Sequence, residues 1–303
     1  MKRTEAFEMY QPTSLREASL LLKEKGAGGR FLAGGTDLVI AMKEKGLVPK
    51  YIVDLKRLPG LTGIRENSDG SIAIGALTTM REIEISPALT QKYPFLCQSA
   101  AEVGSIQIRN RATVGGNMAN ATPSADVAPS LIALQATAKV ARASAERTVA
   151  IEEFFRGPGQ NVMDPDEILT EIMIPKTSPR LVGEYIKFSP REMMDLAYVG
   201  VATAYTVSEK EKKCEDVRIV LGAVAPTPIR AKKAEAALEG QVLSEELAEK
   251  VGAIAAEEAR PISDVRSSAD YRRAMVGAMT KRALLNAMIG PAKSWVERRD
   301  RRY

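Results

Sequence analysis

The chain has 303 residues, 45% of them apolar and 27% charged, with a formal net charge of +5, which suits a soluble protein whose core is divided over two or three units. It contains no histidine and only two cysteines, Cys97 and Cys214, far apart and without Cys-x-x-Cys spacing. Those absences exclude a Ser-His-Asp or Cys-His nucleophile system, a zinc site built on His or several Cys, and an iron–sulfur cluster needing four thiolates, so any enzymatic chemistry falls to a bound cofactor.

The first residues, Met1-Lys2-Arg3-Thr4-Glu5, lack the apolar stretch of a signal peptide. No run reaches the roughly 18 apolar residues of a membrane span, and the expected setting is a reducing cytoplasm. Ser14 and Glu17 have capping-box spacing, Leu15, Ala18 and Leu22 recur at helical intervals, and Gly26 follows, which predicts a first helix. Arg30-Phe31-Leu32 then reads as a short strand entering Ala33-Gly34-Gly35-Thr36-Asp37, with a brief helix over Leu38, Ala41 and Met42 closed by Gly46.

Strands are expected over Tyr51 to Leu55 and Ile72 to Ala76, and helices over Thr79 to Ile85 and Phe95 to Val103, an α/β alternation. Ile106 to Pro129 is crowded with polar and glycine residues and reads as an ordered loop. Leu131 to Ala136 is apolar, and Ala138 to Ala141, Thr148 to Ile151 and Ile168 to Ile174 look like strands of one sheet. Lys176-Thr177-Ser178-Pro179 combines turn formers with a restart of strand pattern at Gly183 to Phe188, and marks a domain junction.

Beyond it, strands over Tyr198 to Val207 and Val217 to Val224 precede helices over Ala231 to Leu238, Glu245 to Ala259 and Ala269 to Met288. This order predicts an antiparallel sheet covered by helices on one face. Lys293 to Arg302 carries five basic and two acidic residues, so more than half of the charge excess belongs to a basic tail. With aromatics at 5% there is no base-stacking platform, and nucleic acid is not an expected partner.

Two segments stand out chemically, Phe31-Leu32-Ala33-Gly34-Gly35-Thr36-Asp37-Leu38 and Ala112-Thr113-Val114-Gly115-Gly116-Asn117. Neither matches G-x-G-x-x-G or a P-loop. Paired glycines let a backbone approach a ligand and turn N–H groups toward phosphate oxygens, and a pyrophosphate suits two such loops face to face. Each pair could equally make a tight turn. Arg109 and Arg111 are open between phosphate or partner binding and salt bridges within their own segment.

Taken in order, Ala33-Gly34-Gly35-Thr36-Asp37, Gln107 to Asn117, Ser124-Ala125-Asp126, Asp195-Leu196-Ala197 and Ser263 to Arg273 give the chain a specific likeness. It resembles, over nearly its whole length, the FAD-binding medium subunit of the molybdenum hydroxylase family, which includes carbon monoxide dehydrogenase, xanthine dehydrogenase and 4-hydroxybenzoyl-CoA reductase. The resemblance implies an α+β protein, with a two-subdomain FAD-binding domain of the vanillyl-alcohol-oxidase (PCMH) type followed by a C-terminal α+β domain. The corresponding divisions are 1–178 (subdomains about 1–56 and 57–178), 179–290, and a basic tail at 291–303.

By position, the resemblance puts Phe31, Leu32, Ala33, Gly34, Gly35, Thr36, Asp37 and Leu38 along the FAD pyrophosphate, and Thr113, Val114, Gly115, Gly116 and Asn117 on its other side. Val103 and Gly104 line the cofactor cleft, together with Thr122. Asp126 holds the nucleotide portion, unless it is a helix cap or a surface acid. Leu169 is an apolar contact that would otherwise count as core, and Lys187 is directed at the flavin, where a cation would raise the potential, unless it is an exposed strand lysine. Ser189 to Asp195 resembles a loop at the flavin edge, and Ser267-Ser268-Ala269-Asp270 reads as a helix cap.

The implied function is electron transfer by FAD, with molybdopterin on a large partner subunit and two [2Fe-2S] clusters on a small one, in a dimer of heterotrimers serving an external acceptor. Two cysteines cannot ligate a further cluster on this chain, so FAD is its expected sole prosthetic group. A stand-alone FAD-dependent oxidoreductase of the same fold and a non-catalytic basic binding module are the alternatives. The first predicts turnover by the chain alone, and the second a colourless protein.

Overall fold

A computed structural model describes residues 5–191 and 193–290. The basic tail at 291–303 lies outside the described residues.

β1 (Glu8–Tyr10), α1 (Leu15–Lys25), β2 (Gly29–Leu32), α2 (Leu38–Glu44) and β3 (Tyr51–Asp54) build a parallel sheet of order β1-β3-β2. The Ser14 hydroxyl accepts from the Glu17 backbone N–H at 3.2 Å, as the spacing predicts, whereas the Glu17 carboxylate accepts from Thr13 N–H at 2.9 Å instead of closing the box on Ser14. α1 buries Ala18 and Leu22 in a small core with Tyr51, Val53 and Leu77. α2 buries none of its residues, so its position depends on the loop that leads into it.

A second sheet follows, antiparallel throughout, in the order β4-β5-β10-β6-β7. Its strands are β4 (Ile64–Glu66), β5 (Ile72–Gly75), β6 (Thr137–Arg142), β7 (Ala145–Ala150) and β10 (Ile168–Ile174), with a two-stranded pair β8 (Phe155–Gly157) and β9 (Gln160–Asn161) on the way. The alternation between 51 and 103 therefore does not continue the parallel layer, because β4 and β5 form a hairpin. Between β5 and β6 lie α3 (Met80–Ile85), α4 (Pro87–Lys92), α5 (Pro94–Ala101), α6 (Ile106–Arg109), α7 (Val114–Asn120) and α8 (Val127–Ala133), and α9 (Ile151–Phe154) follows β7.

The expected loop over 106–129 is thus largely helical. α6 and α7 are too short to show a period, and each is started by a hydroxyl: Ser105 accepts from Ile108 N–H and Thr113 from Gly116 N–H.

The C-terminal unit has the expected architecture. β11 (Leu181–Phe188), β12 (Val199–Val207), β13 (Cys214–Gly222) and β14 (Ile229–Arg230) pair antiparallel in chain order. α10 (Lys232–Leu238), α11 (Glu245–Glu258) and α12 (Ala269–Ile289) cover one face, where Val201, Tyr205, Ile219 and Leu221 meet Val251, Val276 and Leu284. The opposite face carries Tyr185, Ala202, Ala204 and Val220 into the core formed by α5 and α8, around Phe95 and Leu131. A sheet buried on both sides explains why β12 is apolar along nearly its whole length.

Candidate functional site

A cleft of about 920 Å³ runs between the two glycine segments, at the upper end of the range for small-molecule sites. The first segment leaves β2 and turns through Gly34 and Gly35. A Cβ on Gly34 would lie 1.9 Å from the Arg111 carbonyl oxygen, so the two loops touch backbone to backbone and only glycine fits. Gly35 has φ of 81°, the left-handed region that glycine enters without strain. Among the described residues, no protein group accepts from the backbone N–H of Gly34, Gly35 or Thr36.

The second segment is built differently. Gly115 N–H donates to Ala76 O at 2.8 Å, and a Cβ there would stand 2.6 Å from the Ala76 side chain, which seats α7 against the end of β5. Gly116 N–H is taken by Thr113 Oγ1 and Asn117 N–H by Thr113 O. Its backbone donors are therefore spent on the 76–78 segment and on the Thr113 cap, and what it offers a ligand is side-chain chemistry: the Asn117 carboxamide oxygen is buried beside the cleft without a hydrogen-bond partner. The cradle is asymmetric, with open N–H donors on one wall and an unfilled acceptor on the other.

All but three of the residues expected from the sequence line this cleft: Phe31, Ala33 through Leu38, Val103, Gly104, Thr113, Gly115 through Asn117, Thr122, Asp126 and Leu169. Leu32 and Val114 do not. Val114 is fully buried in the central core.

Lys187 stands behind the wall. Its ammonium is buried and donates to Asp126 Oδ2 at 3.0 Å and to the Glu102 carbonyl at 2.9 Å, while the Tyr185 hydroxyl donates to Asp126 Oδ1 at 3.0 Å. Asp126 occupies the cap position of α8 but makes no capping bond, and it is neither a surface acid nor a cap. Burial pushes its carboxyl up to about 6, against the opposing pull of Lys187 and Tyr185. Burial and the neighbouring Asp126 charge hold the Tyr185 hydroxyl well above its ordinary range.

Arg109 is settled by its contacts. Its guanidinium Nε donates to Glu84 Oε2 at 2.8 Å and Nη1 to Val103 O at 3.3 Å, and both side chains of the ion pair are buried. It fixes the 103–111 turn that faces Gly34. Arg111 does not line the cleft, and its carbonyl oxygen packs against Gly34.

Several lining residues had no separate signal in the sequence. Glu167, held in a forked pair by Arg147 at 2.8 and 2.7 Å, is one. From the C-terminal unit, Arg191, Met194 and Asp195, which belong to the 189–195 loop expected beside the cofactor, line the rim with Leu196 and Arg266. Met194, at φ of 57°, donates its N–H to Gly104 O at 3.3 Å and ties that rim to the opposite wall. In the Ser263–Arg273 run, Ser268 does cap α12, as read, while Arg266 reaches the cleft. For Arg266, its place in the Ser263 to Arg273 segment that carries the family resemblance is the pointer.

Open backbone donors, an orphaned buried carboxamide oxygen, a buried carboxylate and apolar walls fit a dinucleotide bearing phosphates, hydroxyls and aromatic rings. Among the described residues, no group of three or more His, Cys, Asp or Glu side chains is placed to hold a metal, and no helix is long and apolar enough to cross a membrane.

Comparison with known proteins gives the same direction. Residues 5–177 match the family model of the FAD binding domain in molybdopterin dehydrogenase, and residues 184–287 that of the CO dehydrogenase flavoprotein C-terminal domain. The carbon monoxide dehydrogenase medium chain of Hydrogenophaga pseudoflava is 32% identical over 92% of this chain and 96% of its own. The xanthine dehydrogenase FAD-binding subunit of Escherichia coli O157:H7 is 31% identical over 92% and 95%. Among solved structures, carbon monoxide dehydrogenase from Hydrogenophaga pseudoflava superposes with a TM-score of 0.91 at 33% identity, covering 95% of this chain and 99% of that one. Quinoline 2-oxidoreductase from Pseudomonas putida 86 gives 0.89 at 28%, covering 96% and 100%. Matched in both halves and along nine-tenths of its length, this chain belongs to the FAD-binding medium-subunit family of the molybdenum-containing dehydrogenases.

Proposed function

We propose that this chain carries one FAD in the cleft between its glycine segments. There it serves as the electron-transfer subunit of a molybdenum-containing hydroxylase or dehydrogenase, between the [2Fe-2S] clusters of a small partner subunit and an external acceptor. A large molybdopterin subunit completes the complex, as a dimer of heterotrimers in the cytoplasm. The proposed divisions are a PCMH-type FAD-binding domain over 1–178, with subdomains meeting near residue 56, and a C-terminal domain over 179–290. The observation that carries this reading is the asymmetric cradle, whose open N–H groups at Gly34 to Thr36 suit phosphate oxygens and whose orphaned Asn117 oxygen suits a hydroxyl or amide N–H.

When bound, FAD exchanges electrons with one-electron and two-electron partners. The chain's own part is to hold and insulate. Gly34, Gly35 and Thr36 present donors to the pyrophosphate, Thr113, Asn117 and Thr122 flank it, and Phe31, Val103 and Leu169 keep water from the rings. Asp126 accepts from the nucleotide with Lys187 behind it, and Asp37, Leu38 and Gly104 close the remaining wall. No proton-transfer triad is required for this work.

The test is reconstitution. The FAD-loaded chain is expected to be bleached only when the cluster-bearing partner, the molybdenum partner and the complex's substrate are all present. Turnover of an organic substrate by the chain alone would contradict the subunit role.

A further inference from the structure

Tyr185 has a place in the site that neither its sequence context nor the cleft wall reveals. It lies two residues before Lys187 on β11, so both side chains leave the same face of the sheet, opposite Ala202 and Gly200 of β12. These small partners leave room: a Cβ on Gly200 would stand 3.2 Å from the Tyr185 hydroxyl. The two β11 donors divide the Asp126 carboxylate between them, Tyr185 on Oδ1 and Lys187 on Oδ2, each at 3.0 Å. Asp126 faces the cleft, while Tyr185 and Lys187 do not line it. The carboxylate is thereby fixed in rotation from the C-terminal unit, with its remaining accepting positions left for a ligand.

Resting on the FAD reading, we propose that Tyr185 is a positioning residue: with Lys187 it holds Asp126 as an ionised, fixed acceptor for a hydroxyl of the bound nucleotide, so that FAD affinity carries a single-proton dependence set by Tyr185. The groups facing Asp126 are Tyr185 and Lys187 from β11 and Glu102 from the end of α5. Burial pushes the Asp126 carboxyl up, to about 6; Lys187 and Tyr185 pull it down, and the like charge of Glu102 adds a small upward push. The sign follows. Above this pH the ionised carboxylate accepts from the ligand, and as the pH falls through it a proton occupies an accepting oxygen and affinity is lost. Removing the Tyr185 donor favours the protonated form and moves the loss to higher pH.

The experiment is a titration of FAD onto the full chain, followed by flavin fluorescence from about pH 5 to about pH 8, where one linked proton gives about a tenfold fall in affinity per pH unit below the step. Tyr185→Phe is expected to move the step upward by about one pH unit, the scale of one hydrogen bond to a charged group. Asp126→Asn is expected to bind more weakly with no step. A Tyr185→Phe step at the wild-type pH, or a uniform loss at every pH, would overturn the positioning role while leaving FAD binding intact. A step that survives in Asp126→Asn would overturn the assignment of the proton. Absence of FAD binding by the wild-type chain at every pH would instead remove the reading beneath it.

Discussion

Gly34→Val is expected to reduce FAD affinity by about 100-fold, roughly 2.7 kcal/mol, because overpacking of this kind costs ~1–3 kcal/mol and displaces the donors that hold the pyrophosphate. The new side chain would enter at the Arg111 carbonyl, 1.9 Å from where its Cβ must stand, and backbone cannot swing aside as a flexible side chain does. Gly35→Ala is the graded comparison. It adds strain at φ of 81° but meets only the side-chain ends of Leu32 and Val39, so a loss of about tenfold is expected. Gly46→Ala, also at positive φ but with nothing within 4 Å, should cost stability of about 1 kcal/mol and leave FAD binding unchanged. Equal flavin absorbance across the three variants after desalting would contradict the cradle.

The second large effect is on stability. Arg109→Met strips the nearly inaccessible Glu84 carboxylate of its 2.8 Å partner, a change that costs ~3–5 kcal/mol when a buried pair is broken on one side. Arg81 still reaches Glu84 Oε1 at 3.0 Å, which places the loss near the lower end, ~3 kcal/mol. For a chain of 303 residues, with an unfolding entropy of about 2.1 cal/mol/K per residue, that is a fall in melting temperature of roughly 5 °C. Adding Glu84→Gln to Arg109→Met should recover part of it, since the buried carboxylate charge is then removed and Arg81, 29% exposed, keeps access to water. A variant that melts normally but no longer retains flavin would show instead that Arg109 contacts the cofactor itself.

Both predictions rest on contacts of different legibility. The glycine segments could be read because their residue types are unusual where they stand, between a β-branched or aromatic run and a helix start. The strands Ile72–Gly75, Ile168–Ile174 and Val199–Val207 and the helices α1, α11 and α12 could be read because each is long or well bounded enough to show its period. α6 and α7 span four and seven residues, less than the window in which a helical period emerges, and their polar composition looked like loop.

The ion pairs escaped for another reason. Glu84 sits on α3, where an acidic residue reads as solvent-facing, and its burial comes from Arg109, 25 residues later. Lys187 reads as a strand lysine until Asp126, 61 residues earlier, is brought against it. Local pattern carries no information on partners at such separations. The rim from Arg191, Leu196 and Arg266 likewise exists only once the C-terminal sheet packs on α5 and α8.

The asymmetry of the cradle is the feature the sequence described least well. Two similar Gly-Gly segments look like two equal phosphate loops, yet one has its N–H groups open and the other has given them to Ala76, Thr78 and the Thr113 cap. The difference arises because Thr113 caps a helix, whereas Asp37 makes no side-chain capping bond.

The most direct test of the whole account is the flavin content of the purified full chain after incubation with FAD and desalting, measured by visible absorbance against protein concentration. One FAD per chain, lost in Gly34→Val and retained in Gly46→Ala, is the predicted result. A chain that stays colourless, or that holds flavin equally well in all three forms, would contradict it.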